Sequence, residues 1–175
     1  VKEFAIFLYK NNIIRFGNFT LASGKNSSYY VDLRLIPSYP HQFRKMIKNL
    51  QNLIVEKTGL DDFDCLASVP TGGLVVTSAL AIEIVKPLIY VRSKPKEHGT
   101  TKSIEGKISA GMKVVMVDDV MTTGTSVLNG INQLKEAGLL VSDLYVVINR
   151  LEGGDKASSD IGVQTHQLTD ILEIT

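Results

Sequence analysis

Apolar positions repeat with two different periods along this chain, and the change of period divides it. In Lys2–Asn11, Phe4, Ile6, Phe7 and Leu8 group as they do on one side of a helix. Over Pro40–Lys57, Phe43, Ile47, Leu50 and Ile54 recur at spacings of three and four. Both stretches are read as helices that cover a sheet. Between them, Phe16–Leu21 and Tyr29–Leu33 are short β-prone runs either side of Ser23-Gly24-Lys25-Asn26-Ser27, a turn composition. A hairpin outside the main sheet is expected there, placed to roof a site. From Asp64 onward strands and helices alternate. Strand Cys65–Val69 leads through Pro70-Thr71-Gly72-Gly73 into helix Leu74–Val85, and strands follow at Leu88–Val91 and Lys113–Val117. Helix Val127–Ala137 and strand Leu144–Ile148 come next, with Val163–Leu168 as a final edge strand. This alternation predicts an α/β fold with a parallel sheet and right-handed crossovers.

The densest chemistry sits where the run Val114-Val115-Met116-Val117 meets Asp118-Asp119 and continues through Val120, Met121, Thr122, Thr123, Gly124, Thr125 and Ser126. Ligands of open α/β sheets gather beyond the carboxyl ends of the strands, where the two acids are expected. The turn Thr122–Ser126 offers hydroxyls, backbone N–H groups and a flexible Gly124 ahead of a helix N-terminus, a setting suited to a monophosphate. The plainer alternative is an acidic turn followed by an ordinary Ser or Thr helix cap. Adjacent carboxylates repel and suit hydroxyls or a hydrated cation better than a bare turn, and one cap does not need three threonines and a serine. Other phosphate motifs fail: no Gly-x-Gly occurs, and Gly24-Lys25 is followed by Asn26, with Phe19 where a P-loop needs its first glycine.

An apolar strand followed by Asp-Asp-Val-Met-Thr-Thr-Gly-Thr-Ser resembles the phosphoribosyl diphosphate (PRPP) motif of type I phosphoribosyltransferases. Three further segments resemble the orotate phosphoribosyltransferases in that family's order: Phe16–Asp32, Arg92–Gly99 and Asn149–Gly154. The resemblance implies the type I phosphoribosyltransferase fold, with a mostly parallel central sheet flanked by helices and a small N-terminal hood. Residues 1–175 would form one domain, residues 1–35 giving a helix and the hood hairpin and residues 92–111 a mobile catalytic loop.

The implied reaction transfers the 5-phosphoribosyl group of PRPP to orotate, releasing pyrophosphate and forming orotidine 5′-monophosphate, with Mg²⁺ carried by the substrate and touching Asp118 or Asp119 at most through water. The resemblance makes Asp118, Asp119, Lys96 and His98 the catalytic set. It adds Arg92, Lys94, Thr71, Gly72, Gly73 and residues Val120 to Ser126 as PRPP contacts, and Thr122, Arg150, Lys25, Tyr29 and Tyr30 as orotate contacts. Ala22 and Gly72 stand where many members carry lysine, which shifts diphosphate binding toward backbone donors and the loop, and Ser93 also stands where many carry lysine, which leaves open whether Lys94 or Lys96 does most of the work. In that family the loop serves the neighbouring subunit's site, so a homodimer is implied.

Each of these features also has a bland reading. The Arg92–Gly111 connection can be a solvated basic loop, Pro70–Gly73 a helix-entry turn, Tyr29 and Tyr30 hairpin packing, and Arg150 a surface ion pair with Glu152. His41 and His166 lie in no motif and are read as structural or exposed.

Bulk properties narrow the field further. With 175 residues and 44% hydrophobic content the chain suffices for one well-cored domain. A net charge of +1 gives no general reason for nucleic-acid or membrane binding. The single Cys65 excludes an intrachain disulfide and fits a reducing, cytoplasmic setting with a core-packing role. The apolar run Leu74–Val85 is too short to span a bilayer, and no signal peptide is visible. A purine phosphoribosyltransferase and a non-enzymatic PRPP sensor remain as rival functions.

Overall fold

A computed structural model describes residues 2–21, 24–94 and 103–175. The N-terminal part consists of helix α1 (Lys2–Lys10), a two-stranded antiparallel hairpin of β1 (Ile14–Thr20) and β2 (Asn26–Val31), a 3-10 turn over Leu33–Ser38, and helix α2 (Pro40–Lys57). The remaining elements are β3 (Cys65–Ser68), α3 (Gly72–Ile84), β4 (Leu88–Val91), β5 (Ile104–Glu105), β6 (Lys113–Met121), α4 (Thr125–Glu136), β7 (Leu140–Asn149), α5 (Gly154–Asp160), β8 (Gln164–Asp170) and α6 (Ile171–Ile174).

Among the described residues the main sheet has six strands in the order β5-β4-β3-β6-β7-β8, with β5 alone antiparallel to its neighbour. The hairpin forms a separate sheet, as the sequence predicts.

Strand alternation divides the interior into two cores. Leu66, Val115, Val117, Tyr145 and Val147 face one side, where Leu50 and Ile54 of α2 and Val76 and Leu80 of α3 cover them. Cys65, Ala67, Met116, Leu144 and Val146 face the other, against Val127, Ile131 and Leu134 of α4. Each fully buried aliphatic side chain contributes about 1.5–3 kcal/mol, so the apolar runs read as strands are the ones that hold the sheet together. Cys65 is buried and unpaired, and burial pushes its thiol up to about 11, which suits packing rather than reactivity.

His166 is structural: its Nε2 lies 2.7 Å from Asp143 Oδ1 and its ring stacks on Tyr145 with centroids 4.6 Å apart. His41 is exposed. No helix among the described residues is long and apolar enough to cross a membrane.

Helix α2 matches its prediction, because Pro40 supplies a preset first turn and Met46, Ile47, Leu50 and Ile54 bury one face. Helix α3 starts at Gly72 and α4 at Thr125, each two residues earlier than the apolar pattern indicates. Their first residues are small or hydroxyl-bearing, so periodicity does not register them. β7 is also longer than the predicted Leu144–Ile148, and β8 runs on to Asp170.

Candidate active site

Strand β6 does not stop at Val117. It continues through Met121, with Asp118 opposite Val146, Val120 opposite Ile148 and Met121 opposite Asn149 on the lengthened β7. The acidic pair therefore lies within the strand rather than beyond its end, which corrects the boundary drawn from sequence. The physical reason is pairing: Val120 and Met121 are strand-compatible and β7 offers partners for them. The Met121 side chain is buried in the core under α4, and Val120 packs against the opposite core. Met121 can meet a ligand only through its backbone, whereas the Val120 side chain is half-buried.

Asp118 is buried, and one of its carboxylate oxygens accepts a hydrogen bond from the Asp119 N–H at 2.9 Å. Burial first, then the neighbouring Asp119 charge, pushes the Asp118 carboxyl well above its ordinary value.

Both carboxylates lie against the turn between β3 and α3. A Cβ added to Gly73 would sit 2.5 Å from Asp118 Oδ1 and 2.8 Å from Ser68 Oγ, and one added to Gly72 would collide with Asp119 Oδ2. Only glycine allows this approach. Thr71 precedes α3 without a side-chain cap, so the first N–H groups of the helix carry no capping oxygen. Ser68 Oγ donates to the Val117 carbonyl at 2.8 Å, tying the end of β3 to the strand that carries the acids.

The turn after β6 is not an ordinary Ser or Thr cap. Its N-cap is Gly124, in the left-handed region at φ 80°, and among the described residues no side chain caps the helix. Thr123, Thr125 and Ser126 are exposed and Thr122 is half-buried. Thr123 Oγ1 and Thr125 Oγ1 lie 3.1 Å apart. The hydroxyls are therefore free of capping duty and surround uncapped N–H groups at the positive end of a 12-residue helix. The Asn149–Gly154 segment backs this turn: a Cβ on Gly154 would be 2.7 Å from Met121 Sδ and 2.9 Å from the Thr122 carbonyl oxygen.

Arg150 follows β7 on the same sheet edge, its N–H donating to the Met121 carbonyl at 2.9 Å. It is not a surface ion pair. The residue is only 6% exposed, and its guanidinium lies 4.3 Å over the Tyr29 ring. Its Nε donates to the Tyr29 hydroxyl at 3.0 Å and its Nη2 to Ser27 Oγ at 3.1 Å. The expected Glu152 partner is present as well, at 3.2 Å. The hairpin is thus drawn down onto the sheet edge that carries the acids and the hydroxyl turn.

Strand alternation sends Tyr30 the other way, toward Phe19 at 5.9 Å and Arg15 at 5.3 Å, so of the two tyrosines Tyr29 alone contacts Arg150. Lys25 is exposed on the hairpin turn. Arg92 pairs with Glu105 at 3.2 Å and Lys94 is exposed beside it, while Lys96 and His98 lie outside the described residues.

Arg34 was not visible as a site residue in the sequence. It reaches the Gly72–Gly73 turn from the 3-10 turn, and no local motif announces that placement. A cavity of about 450 Å³ among α1, α2 and β8 includes none of these residues.

Among the described residues no three potential metal-binding side chains gather. Two adjacent carboxylates alone do not make a cage for a resident ion. They fit a magnesium ion held mainly by diphosphate and ribose oxygens, which prefers to keep waters and substrate ligands.

Residues 40–174 match the family described as the phosphoribosyl transferase domain. Among curated relatives, an orotate phosphoribosyltransferase of Cenarchaeum symbiosum is 48% identical over 174 residues, covering 99% of this chain and 87% of the relative. One from Pyrococcus furiosus is 38% identical, covering 99% and 94%. The crystal structure of orotate phosphoribosyltransferase from Aeropyrum pernix superposes with a TM-score of 0.87 at 34% identity, covering 97% of this chain and 94% of that one. The chain belongs to the orotate phosphoribosyltransferase family.

Proposed function

We infer that this protein transfers the 5-phosphoribosyl group of PRPP to orotate, giving orotidine 5′-monophosphate and pyrophosphate in de novo pyrimidine (UMP) synthesis. The observation that carries the reading is Arg150, buried and stacked on Tyr29 at the sheet edge that holds the acidic pair and the hydroxyl turn. A guanidinium in that position matches a planar carboxylate, which orotate has and the purine bases lack.

In the reaction a ring nitrogen of orotate gives up its proton to solvent or the departing pyrophosphate and bonds to the anomeric carbon as the bond from that carbon to the diphosphate oxygen breaks, its electron pair leaving with pyrophosphate. The N–H groups and hydroxyls of residues 122–126 hold the 5′-phosphate, with Thr122 nearest the base. Asp118 and Asp119 hold the ribose hydroxyls and face the positive charge that builds at the anomeric carbon. Thr71, Gly72 and Gly73 present N–H groups to the diphosphate. Magnesium, when bound, offsets the diphosphate charge.

We read residues 1–175 as one catalytic unit in which residues 92–111 close over the leaving group with Arg92, Lys94, Lys96 and His98. Replacing Lys96 with Ala should lower turnover at least tenfold more than it lowers PRPP affinity, a contrast read from steady-state rates beside direct PRPP titration. Equal losses would remove Lys96 from the leaving-group role.

We also propose a homodimer, with α3 as part of its interface. That helix is largely apolar: Val76, Leu80 and Ala81 are buried inward, while Ile82 and the C-cap residue Val85 are 83% and 86% exposed. The dimer follows from the family resemblance, which implies that each copy's loop serves its neighbour's site. Ile82→Asp should convert a dimer to a monomer in sedimentation velocity and abolish most activity. A dimer unchanged by that substitution would move the interface elsewhere. A cytoplasmic setting is part of the same reading, supported by the lone buried thiol of Cys65.

The function itself is tested by following orotate absorbance with PRPP and Mg²⁺ beside pyrophosphate release, with hypoxanthine and adenine in parallel. Matching orotate loss and pyrophosphate gain, stopped by chelation, is the expected result. Turnover confined to a purine would overturn it.

A further inference from the structure

The 3-10 turn Leu33–Ser38 follows directly on β2 and sets Arg34 beside the glycine turn that opens α3. Asp32 caps this turn, accepting the Arg34 N–H at 3.2 Å. The same carboxylate grips the guanidinium, with Nε at 2.7 Å from Oδ1 and Nη2 at 3.2 Å from Oδ2. Nη2 also donates to the Tyr30 hydroxyl at 3.3 Å. The grip occupies one edge of the fork, and Nη1 has no partner among the described residues. The side chain is 60% exposed, so that edge faces outward from a fixed direction.

The stem of Arg34 borders the turn. A Cβ on Gly72 would come 3.4 Å from Arg34 Cγ and would also strike Asp119 Oδ2, so the two residues flank the same small space. Asp32 foremost, through its hydrogen bond, and Asp119 more weakly hold the guanidinium firmly protonated. An anion entering here meets two carboxylates that repel it, and backbone N–H groups carry only partial charge. A fixed full cation at this spot changes that balance.

We propose that Arg34 binds the diphosphate of PRPP, its free Nη1 edge donating to a non-bridging oxygen while Asp32 and Tyr30 hold its direction. This assignment rests on the PRPP reading given above. It also links the hood to the diphosphate turn through one side chain, since Tyr30 lies in β2 of the hairpin and Asp32 directly follows it.

The test is calorimetric titration of the full chain with inorganic pyrophosphate and, separately, ribose 5-phosphate, both with Mg²⁺, on wild type, Arg34→Gln and Arg34→Lys. Loss of a charge-assisted hydrogen bond should weaken pyrophosphate roughly 10- to 100-fold in Arg34→Gln. Ribose 5-phosphate should move less than about twofold, and Arg34→Lys should recover part of the loss because charge is retained. Unchanged pyrophosphate binding in Arg34→Gln would overturn the proposal. Equal weakening of both ligands would also overturn it, making Arg34 a brace for the hood. A wild-type protein that binds ribose 5-phosphate but not pyrophosphate sinks the Arg34 assignment alone, whereas binding of neither sinks the PRPP reading beneath it.

Discussion

Arg150→Met should reduce kcat/KM for orotate by roughly 30- to 1000-fold, corresponding to about 2–4 kcal/mol for breaking a buried charge pair. The loss should fall on orotate and leave the KM for PRPP within about threefold. The guanidinium is held by the Tyr29 ring and hydroxyl, Ser27 and Glu152, so its position is fixed before a ligand arrives. Methionine keeps much of the stem's volume and removes only the fork. Uracil, which is orotate without its carboxylate, makes the comparison sharper. If the fork reads that carboxylate, the substitution should scarcely alter whatever weak uracil turnover the wild type has. Parallel losses for orotate and uracil would mean that Arg150 holds the hairpin rather than the base.

Asp118→Asn should lower turnover by roughly 10²- to 10³-fold, the usual effect of removing a charge that the reacting centre draws on once the cationic substrate carbon develops beside it. The same change should raise the melting temperature of the ligand-free protein near neutral pH. Burial and then Asp119 push the Asp118 carboxyl well above its ordinary value, so the folded chain favours the neutral acid. The unfolded chain ionises that carboxyl from about pH 3.9. The stability attached to the bound proton is complete below that point and is lost as pH rises through the raised folded value. Asparagine resembles the neutral acid at every pH. The melting advantage of the variant should therefore be larger at about pH 8 than at about pH 5, as read by scanning calorimetry. An equal advantage at both would show that repacking, not charge, is responsible. Activity and stability pull in opposite directions at this residue, as expected where a fold holds a carboxylate that its own packing disfavours.

The sequence exposes features whose signal is local. Five strands of the main sheet, β3, β4, β6, β7 and β8, are legible as apolar runs, and so are the three longer helices, because burial on both sheet faces writes itself into composition. Arg150 and the hydroxyl turn are legible through the family resemblance of the segments around them. What is missed depends on partners far along the chain. β6 extends past the acids because β7 continues to Asn149, and neither strand alone reveals that pairing. Strand β5 has two residues and exists through its pairing with β4. Helix α5, Gly154–Asp160, is mostly small and polar and has no apolar period to read. The division of labour between Tyr29 and Tyr30 follows from strand alternation once the hairpin register is known. Arg34 is the clearest case, since its meaning comes from Gly72 and Asp119, which are distant in sequence and adjacent in space.

The uncapped start of α4 shows how structure resolves a choice that composition leaves open. Threonine and serine before a helix are consistent with capping or with ligand binding. With Gly124 at the N-cap and no side-chain oxygen on the first N–H groups, the hydroxyls are left for another partner.

The central claim is that hood, acidic strand, hydroxyl turn and Arg150 form one site with a fixed polarity, base at one end and phosphate at the other. A crystal structure with orotidine 5′-monophosphate tests this most directly. The account predicts the base carboxylate on Arg150 and the 5′-phosphate on the N–H groups and hydroxyls of Thr123, Thr125 and Ser126. A nucleotide bound with its phosphate on the Gly72–Gly73 turn, or with its carboxylate away from Arg150, would contradict it.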